Sequence, residues 1–178
     1  LTLRGVNQIL SARLTRTGTL LDDVIDEHGT AFLMGRTRMQ AAQGVTVADR
    51  VQTWRLPLKS HLDRLAEMRG RLENVQLGGA VGTFGADQKD REIIAYVAKD
   101  LNLGVPQRSW HAMRDTLADY ANWLSLITGT LGKMGQDIAL MAQISNRIGI
   151  MRAGEIVEIG TAAQIVTNPS HDYTRSLW

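Results

Sequence analysis

The chain has 178 residues, a formal charge of +2 and no cysteine. That length suffices for one domain with a real core, and a hydrophobic fraction of 44% beside 21% charged residues is ordinary for a globular protein. The absence of cysteine excludes disulfides and thiolate metal sites, and the small charge gives no ground for a nucleic-acid partner. No apolar run is long enough to span a bilayer and no signal peptide is visible, so no membrane association is expected and cytoplasm is the expected location. The first residue is Leu rather than Met, which points to a fragment or a trimmed chain.

From about Leu3 to His28 apolar residues recur at helical spacing: Leu3, Val6, Leu10, Leu14, Leu20 or Leu21, and Val24. Gly29 is placed to end that helix. The stretch Gly35-Arg-Thr-Arg-Met-Gln-Ala-Ala-Gln43 then reads as a short loop between two long helices. The second helix carries Val47, Val51, Trp54, Leu58, His61, Leu65, Met68, Leu72 and Val75 in steps of four and three, a seam with period near 3.5. At 1.5 Å per residue such a helix runs to roughly 45 Å. Gln76-Leu-Gly-Gly-Ala-Val-Gly-Thr-Phe-Gly85 is a glycine-rich turn, but no strand precedes it and its spacing is not that of a phosphate loop. A shorter amphipathic helix is expected at about Gln88 to Leu101, and Pro106 marks a loop.

The third long helix is expected to begin near Ser109 and to run to Gln143, with Met113, Leu117, Tyr120, Leu124, Ile127, Leu131, Met134, Ile138 and Met141 as its seam. Gly129, Gly132 and Gly135 lie on it, each costing about 1 kcal/mol relative to Ala, and imply a close backbone approach to a neighbouring helix. Helices this long do not fit one compact ball of this size. They suit a bundle whose seams are shared between subunits. After about Ile144 the pattern becomes β. Ile148 to Arg152 and Glu155 to Ile159 read as a hairpin, Thr161 caps a short helix to Val166, Asn168-Pro169 ends it, and a polar tail follows to Trp178.

Two groups of residues could do chemistry. Arg36, Thr37, Arg38 and Gln40 put two guanidiniums around a hydroxyl; the planar fork of Arg pairs bidentately with carboxylate, so they suit a polycarboxylate, and a solvated polar turn is the plainer alternative. Ser109-Trp-His-Ala-Met-Arg-Asp115 sets a histidine beside an arginine and an aspartate, either an acid/base and binding cluster or a structural histidine. His28 and His61 lie on helices and read as structural.

Gly35 to Gln43 and Ser109 to Gln143 together resemble the fumarase/aspartase/adenylosuccinate-lyase superfamily, and within it the 3-carboxy-cis,cis-muconate cycloisomerase family. The resemblance covers most of residues 1–143. It implies a mainly α long-helix bundle with a short C-terminal β-hairpin and helix, a homo-oligomer (a tetramer by family), a small polycarboxylate substrate, and neither metal nor organic cofactor. It implies substrate contacts from Arg36, Thr37, Gln40, Gln76, Trp110 and Arg114, with His111 as candidate acid/base. Many superfamily members have histidine where Arg38 stands, so Arg38 is read as a charge stabiliser; guanidinium does not deprotonate at ordinary pH. The Gly78-Gly79 turn belongs to the same pattern, and Lys133 and Gln136 match it as packing residues. The Thr-Ser-x-Asp signature and the mobile loop with the catalytic serine are absent from the sequence, which implies an incomplete and impaired enzyme. Another lyase of the superfamily, a non-catalytic helical oligomerisation module and a fragment of an ABC transporter ATPase remain open. Asn146 to Gly160 with Asn168 to Arg175 resembles the C-terminal end of an oligopeptide-type ABC transporter ATPase, implying a fused tail over 144–178. No phosphate cradle accompanies it.

Overall fold

The computed structural model describes residues 2–38, 40–153 and 155–177. The chain divides into two compact units, Leu1–Thr130 and Leu131–Trp178, and helix α4 (Asp115–Ile144) runs through the division. The first unit also holds α1 (Thr2–His28), a hairpin of β1 (Phe32–Thr37) and β2 (Gln40–Thr46), α2 (Val47–Leu72) and α3 (Gln88–Leu101).

The core of this unit follows the 3.5-residue seam of α2. Its buried positions are Val51, Trp54, Leu58, His61, Leu65, Met68 and Leu72, all of them seam residues. Leu14 of α1 and Tyr120, Trp123 and Ile127 of α4 close over them. Cross-links between helices set the directions. Arg4 pairs with Glu73 and Arg55 with Asp22, so α1 and α2 are antiparallel; Arg71 pairs with Asp119 and His61 with Thr130, so α2 and α4 are antiparallel as well. Trp123, the largest fully buried side chain, donates its indole N–H to the His61 carbonyl at 2.9 Å and stacks on Tyr120. The Tyr120 hydroxyl in turn donates to Asn7 Oδ1 at 2.7 Å.

His61 is 3% exposed and is held at both ring nitrogens, Nδ1 3.2 Å from Arg64 Nη1 and Nε2 2.8 Å from Thr130 Oγ1. Guanidinium can only donate, so Nδ1 accepts and the Nε2 proton faces the hydroxyl. Burial, and then the Arg64 charge, push the His61 pKa below that of a free imidazole. The structural reading of this histidine therefore matches its surroundings.

Two expectations are corrected here. Residues 35–43 are not a bare loop between helices: β1 and β2 pair antiparallel from Phe32↔Thr46 to Thr37↔Gln40, with an irregularity between Met34 and Arg36. Gly44 lies under the Phe32 ring, which leaves no room for a side chain there. The hairpin leads straight into α2 through a capping box in which Thr46 and Asp49 exchange hydrogen bonds. The third long helix does not start near Ser109; residues 105–114 form a loop and α4 begins at Asp115. The α4 seam is buried at Tyr120 and Ile127, but Leu131 and Ile138 are exposed. At Gly129, Gly132 and Gly135 nothing described lies within 4 Å of where a side chain would start, so the described residues show no close approach at these glycines.

The second unit, besides the end of α4, contains β3 (Ile148–Arg152) and β4 (Glu155–Gly160) as an antiparallel pair, then α5 (Ala162–Thr167) and a single-turn α6 (Asp172–Arg175) where a polar tail was expected. Thr161 caps α5 by accepting from the Gln164 N–H, and Ile165 fills the space under β4. Buried Glu158 accepts hydrogen bonds from Ser170 N–H (2.6 Å), the Ser170 hydroxyl (2.7 Å) and His171 N–H (3.1 Å). The neighbouring Thr174 hydroxyl lies outside hydrogen-bond geometry in this conformation. Its proximity and the Ser170 and His171 donors together hold the Glu158 pKa at about 2.

Candidate functional site

One candidate site forms where α2 ends. Glu73 closes the helix, and Arg4 of α1 holds this corner by donating to the Glu73 carboxylate and to the carbonyls of Leu101 and Asn102. Burial pulls the Glu73 pKa upward, but hydrogen bonds and charge from Arg69 and Arg4 outweigh it and leave it below the usual carboxylate value. The next residues bridge to the end of α3: Val75 N–H donates to Gly104 O and Gly104 N–H to Glu73 O. α3 itself stops at Asn102, whose left-handed backbone turns the chain back towards this bridge.

The glycine-rich turn follows. Gly79, Gly82 and Gly85 have φ of 64°, 77° and 95°, a region that side chains disfavour, and Phe84 N–H closes the turn onto Gly78 O. The loop 105–114 lies over it. Gln76 Oε1 accepts from the Trp110 N–H at 2.8 Å. A Cβ on Gly78 would sit 2.7 Å from the Ser109 hydroxyl, and one on Gly82 would sit 2.8 Å from His111 Cβ. Gly82 is therefore required by contact, whereas at Gly78 the Ser109 hydroxyl would have to rotate aside, and His111 is seated directly on the turn. Trp110 is half-buried against the helical core, whereas Gln76, His111 and Arg114 are exposed. The structure thus brings Gln76, Trp110 and His111 together, with Arg114 just before the first turn of α4.

Between the turn and the loop opens a cleft of about 550 Å³. Its floor is apolar, with Val75, Leu77, Phe84 and Ile94, and its rim carries Thr83, Arg91, Gln107, Arg108 and Ser109. Neither Arg91 nor Arg108 was singled out from the sequence. The signal available there was only their position, Arg91 in the first turn of the short helix and Arg108 two residues past Pro106, which periodicity cannot distinguish from solvated charge.

The other candidate group is elsewhere. Arg36 and Thr37 end β1, Arg38 takes a left-handed backbone (φ 48°) at the turn, and Gln40 begins β2; all four are exposed. This hairpin adjoins the N-terminal end of α2, whereas Gln76 follows its C-terminal end. With 26 residues, α2 spans about 39 Å. Within one chain the four hairpin residues and the Gln76–His111 group cannot touch the same small molecule.

Residues 1–153 match the family described as Lyase. The chain belongs to the lyase family. It is 36% identical over 159 residues to a 3-carboxy-cis,cis-muconate cycloisomerase of Pseudomonas aeruginosa, covering 89% of this chain and 33% of that protein. It is 40% identical over 113 residues to the Acinetobacter baylyi protein of the same name, covering 62% of this chain and 25% of the other. Among solved structures it is similar to the 3-carboxy-cis,cis-muconate lactonizing enzyme from Pseudomonas putida, with a TM-score of 0.78 and 32% identity over 84% of this chain and 34% of that one. The chain spans about a third of the length of these relatives or less. The superfamily and the long-helix fold read from the motifs are those of these relatives. Among the described residues no helix is long and apolar enough to cross a membrane.

Proposed function

We propose that this lyase-family chain serves the lactonisation of 3-carboxy-cis,cis-muconate, supplying the substrate-holding residues of that reaction. In this reaction a carboxylate oxygen of the substrate adds across its own double bond, and a proton is delivered to the adjacent carbon. No atom leaves, so the task is to hold a trianion in a reactive conformation, stabilise the developing charge and deliver one proton. Arg36, Thr37 and Gln40 bind carboxylate on this reading, and Arg38 stabilises the charge that develops on the carboxylate beside the carbanion-like carbon. Gln76, Trp110 and Arg114 form the opposing wall, and His111 is the proton donor.

The observation that carries this reading is the docking of the His111 loop on the glycine-rich turn, with Trp110 fixed by Gln76, in a chain whose relatives are named for this chemistry. The 39 Å helix between the two groups adds a requirement. A complete site needs the hairpin of one copy beside the His111 loop of another, in a homo-oligomer. The exposed apolar residues of α4 and the open positions at its glycines supply surface for that packing.

The test is the ultraviolet absorbance of 3-carboxy-cis,cis-muconate mixed with the purified protein, read beside calorimetric binding of the same compound. Binding that weakens in R36A and R38A, with turnover far below an ordinary enzyme's roughly 10 s⁻¹, is expected from a chain without the serine loop. Failure to bind the compound overturns the proposal. Residues 144–178 keep a separate reading as an ABC-ATPase-like tail, supported by the run Asn146 to Gly160. Saturable Mg-dependent binding of a fluorescent ATP analogue is not expected from it and would reverse the assignment of function between the two parts.

A further inference from the structure

The cleft beneath the glycine-rich turn has a chemistry that none of the residues discussed so far accounts for. Its volume of about 550 Å³ is that of a small-molecule site. Arg91 from α3 and Arg108 from the loop line it, and among the described residues no carboxylate does. Arg91 is already oriented: Nη1 donates to Ala86 O at 3.0 Å and Nη2 to Gln88 Oε1 at 3.5 Å. A guanidinium has five N–H donors, so three of Arg91's remain. Arg108 makes no hydrogen bond or ion pair among the described residues, which leaves all five of its donors available. The nearby acids are engaged in holding the backbone. Asp90 accepts from Gly85 N–H and Asp87 from Asp90 N–H. The same cleft is lined by the hydrocarbon side chains of Val75, Leu77, Phe84 and Ile94.

We infer that Arg91 and Arg108 form a carboxylate-holding pair, and that the cleft takes a carboxylate borne on a planar apolar body, an alkenyl or aromatic acid. Paired guanidiniums select the anion, because the fork geometry matches a carboxylate bidentately. The apolar floor selects what the anion is attached to, since it can make no hydrogen bond to a polar body and would leave one unsatisfied. The inference extends the proposed function and rests on it in one respect: Ser109, on the cleft rim, adjoins Trp110 and His111, so the cleft opens beside the proposed proton donor. Arg108 is then the residue by which this end of the site recognises an unsaturated acid.

Calorimetry on the full chain tests it, with benzoate, tricarballylate and inorganic phosphate as probes. Benzoate should bind, and R108A should weaken it about 10- to 100-fold, the factor expected for loss of a charge-assisted hydrogen bond. R91A should weaken it similarly and R108K partially, while circular dichroism should show unchanged helix in all three. K59A, at an exposed lysine of α2 that does not line the cleft, should leave benzoate binding unaffected. If benzoate binds but R108A does not weaken it, the assignment of Arg108 is overturned while the proposed function stands. If phosphate binds as tightly as benzoate, or benzoate does not bind, the selectivity argued from the apolar floor is wrong.

Discussion

Acidification should weaken the first unit through one side chain, His61. The ring is buried between α2 and α4 with Nδ1 accepting from Arg64 and the Nε2 proton directed to Thr130. Protonation would set an N–H against the N–H of Arg64, and burial already disfavours the charge. The folded pKa therefore lies below the unfolded value of 6.5, and between the two the unfolded chain binds more protons. Stability from this group is fully present above pH 6.5 and falls as the pH drops below it. One proton corresponds to about 1.4 kcal/mol per pH unit, so moving from pH 7.5 to 5.5 costs at most about 1.4 kcal/mol while the folded ring stays neutral. The assay is urea denaturation at several pH values, comparing the unaltered chain with H61Q. Glutamine can accept from Arg64 and donate to Thr130 without titrating, so H61Q should lose the acid slope and keep most of the stability at pH 7.5. If H61Q keeps the full slope, the proton is taken up elsewhere and the reasoning about His61 is refuted.

Three further outcomes follow from packing and backbone. W123A should destabilise by about 3–5 kcal/mol, because the residue is 1% exposed and fills the junction of α1, α2 and α4. In thermal denaturation that is a fall of roughly 6–20 °C, and a fall of only a degree or two would mean that the junction is not tightly packed. G82A must place a methyl group on a residue with φ of 77° against His111, at a cost of about 1–2 kcal/mol, and should move the His111 ring resonances in an NMR spectrum. Glu158, with a folded pKa of about 2 against an ordinary 4.5, gives stability that is present above pH 4.5 and is lost as pH falls towards 2. The Ser170 and His171 amide signals should report that loss in the unaltered chain, and E158Q should flatten it.

The helices were readable because burial imposes a period on the sequence. Each of the seven buried residues of α2 stands on the 3.5-residue seam, and the limits of α3 coincide with those expected. On α1 the seam admitted Leu20 or Leu21, and packing selects Leu21. Trp123 escaped because it lies beside the α4 seam, where a wide indole reaches the core from a neighbouring position. The first hairpin escaped for a different reason. Its strands are largely exposed, so no alternation marks them, and its turn places Arg38 rather than Gly or Asn at positive φ. The position of the His111 loop on the glycine-rich turn was legible only through motif resemblance. Its physical basis, the contact of Gly82 with His111 and of Gly78 with Ser109, lies between segments distant in sequence.

The 39 Å reach of α2 has a corollary for mixed assemblies. A chain disabled at Arg36 and Arg38 keeps an intact His111 loop, and one disabled at His111 keeps an intact hairpin. If both groups hold one substrate, they meet only across copies, so mixing the two defective chains would restore some binding sites that carry both groups. Either defective chain by itself would form none. The mixture would then bind 3-carboxy-cis,cis-muconate more tightly than either chain alone.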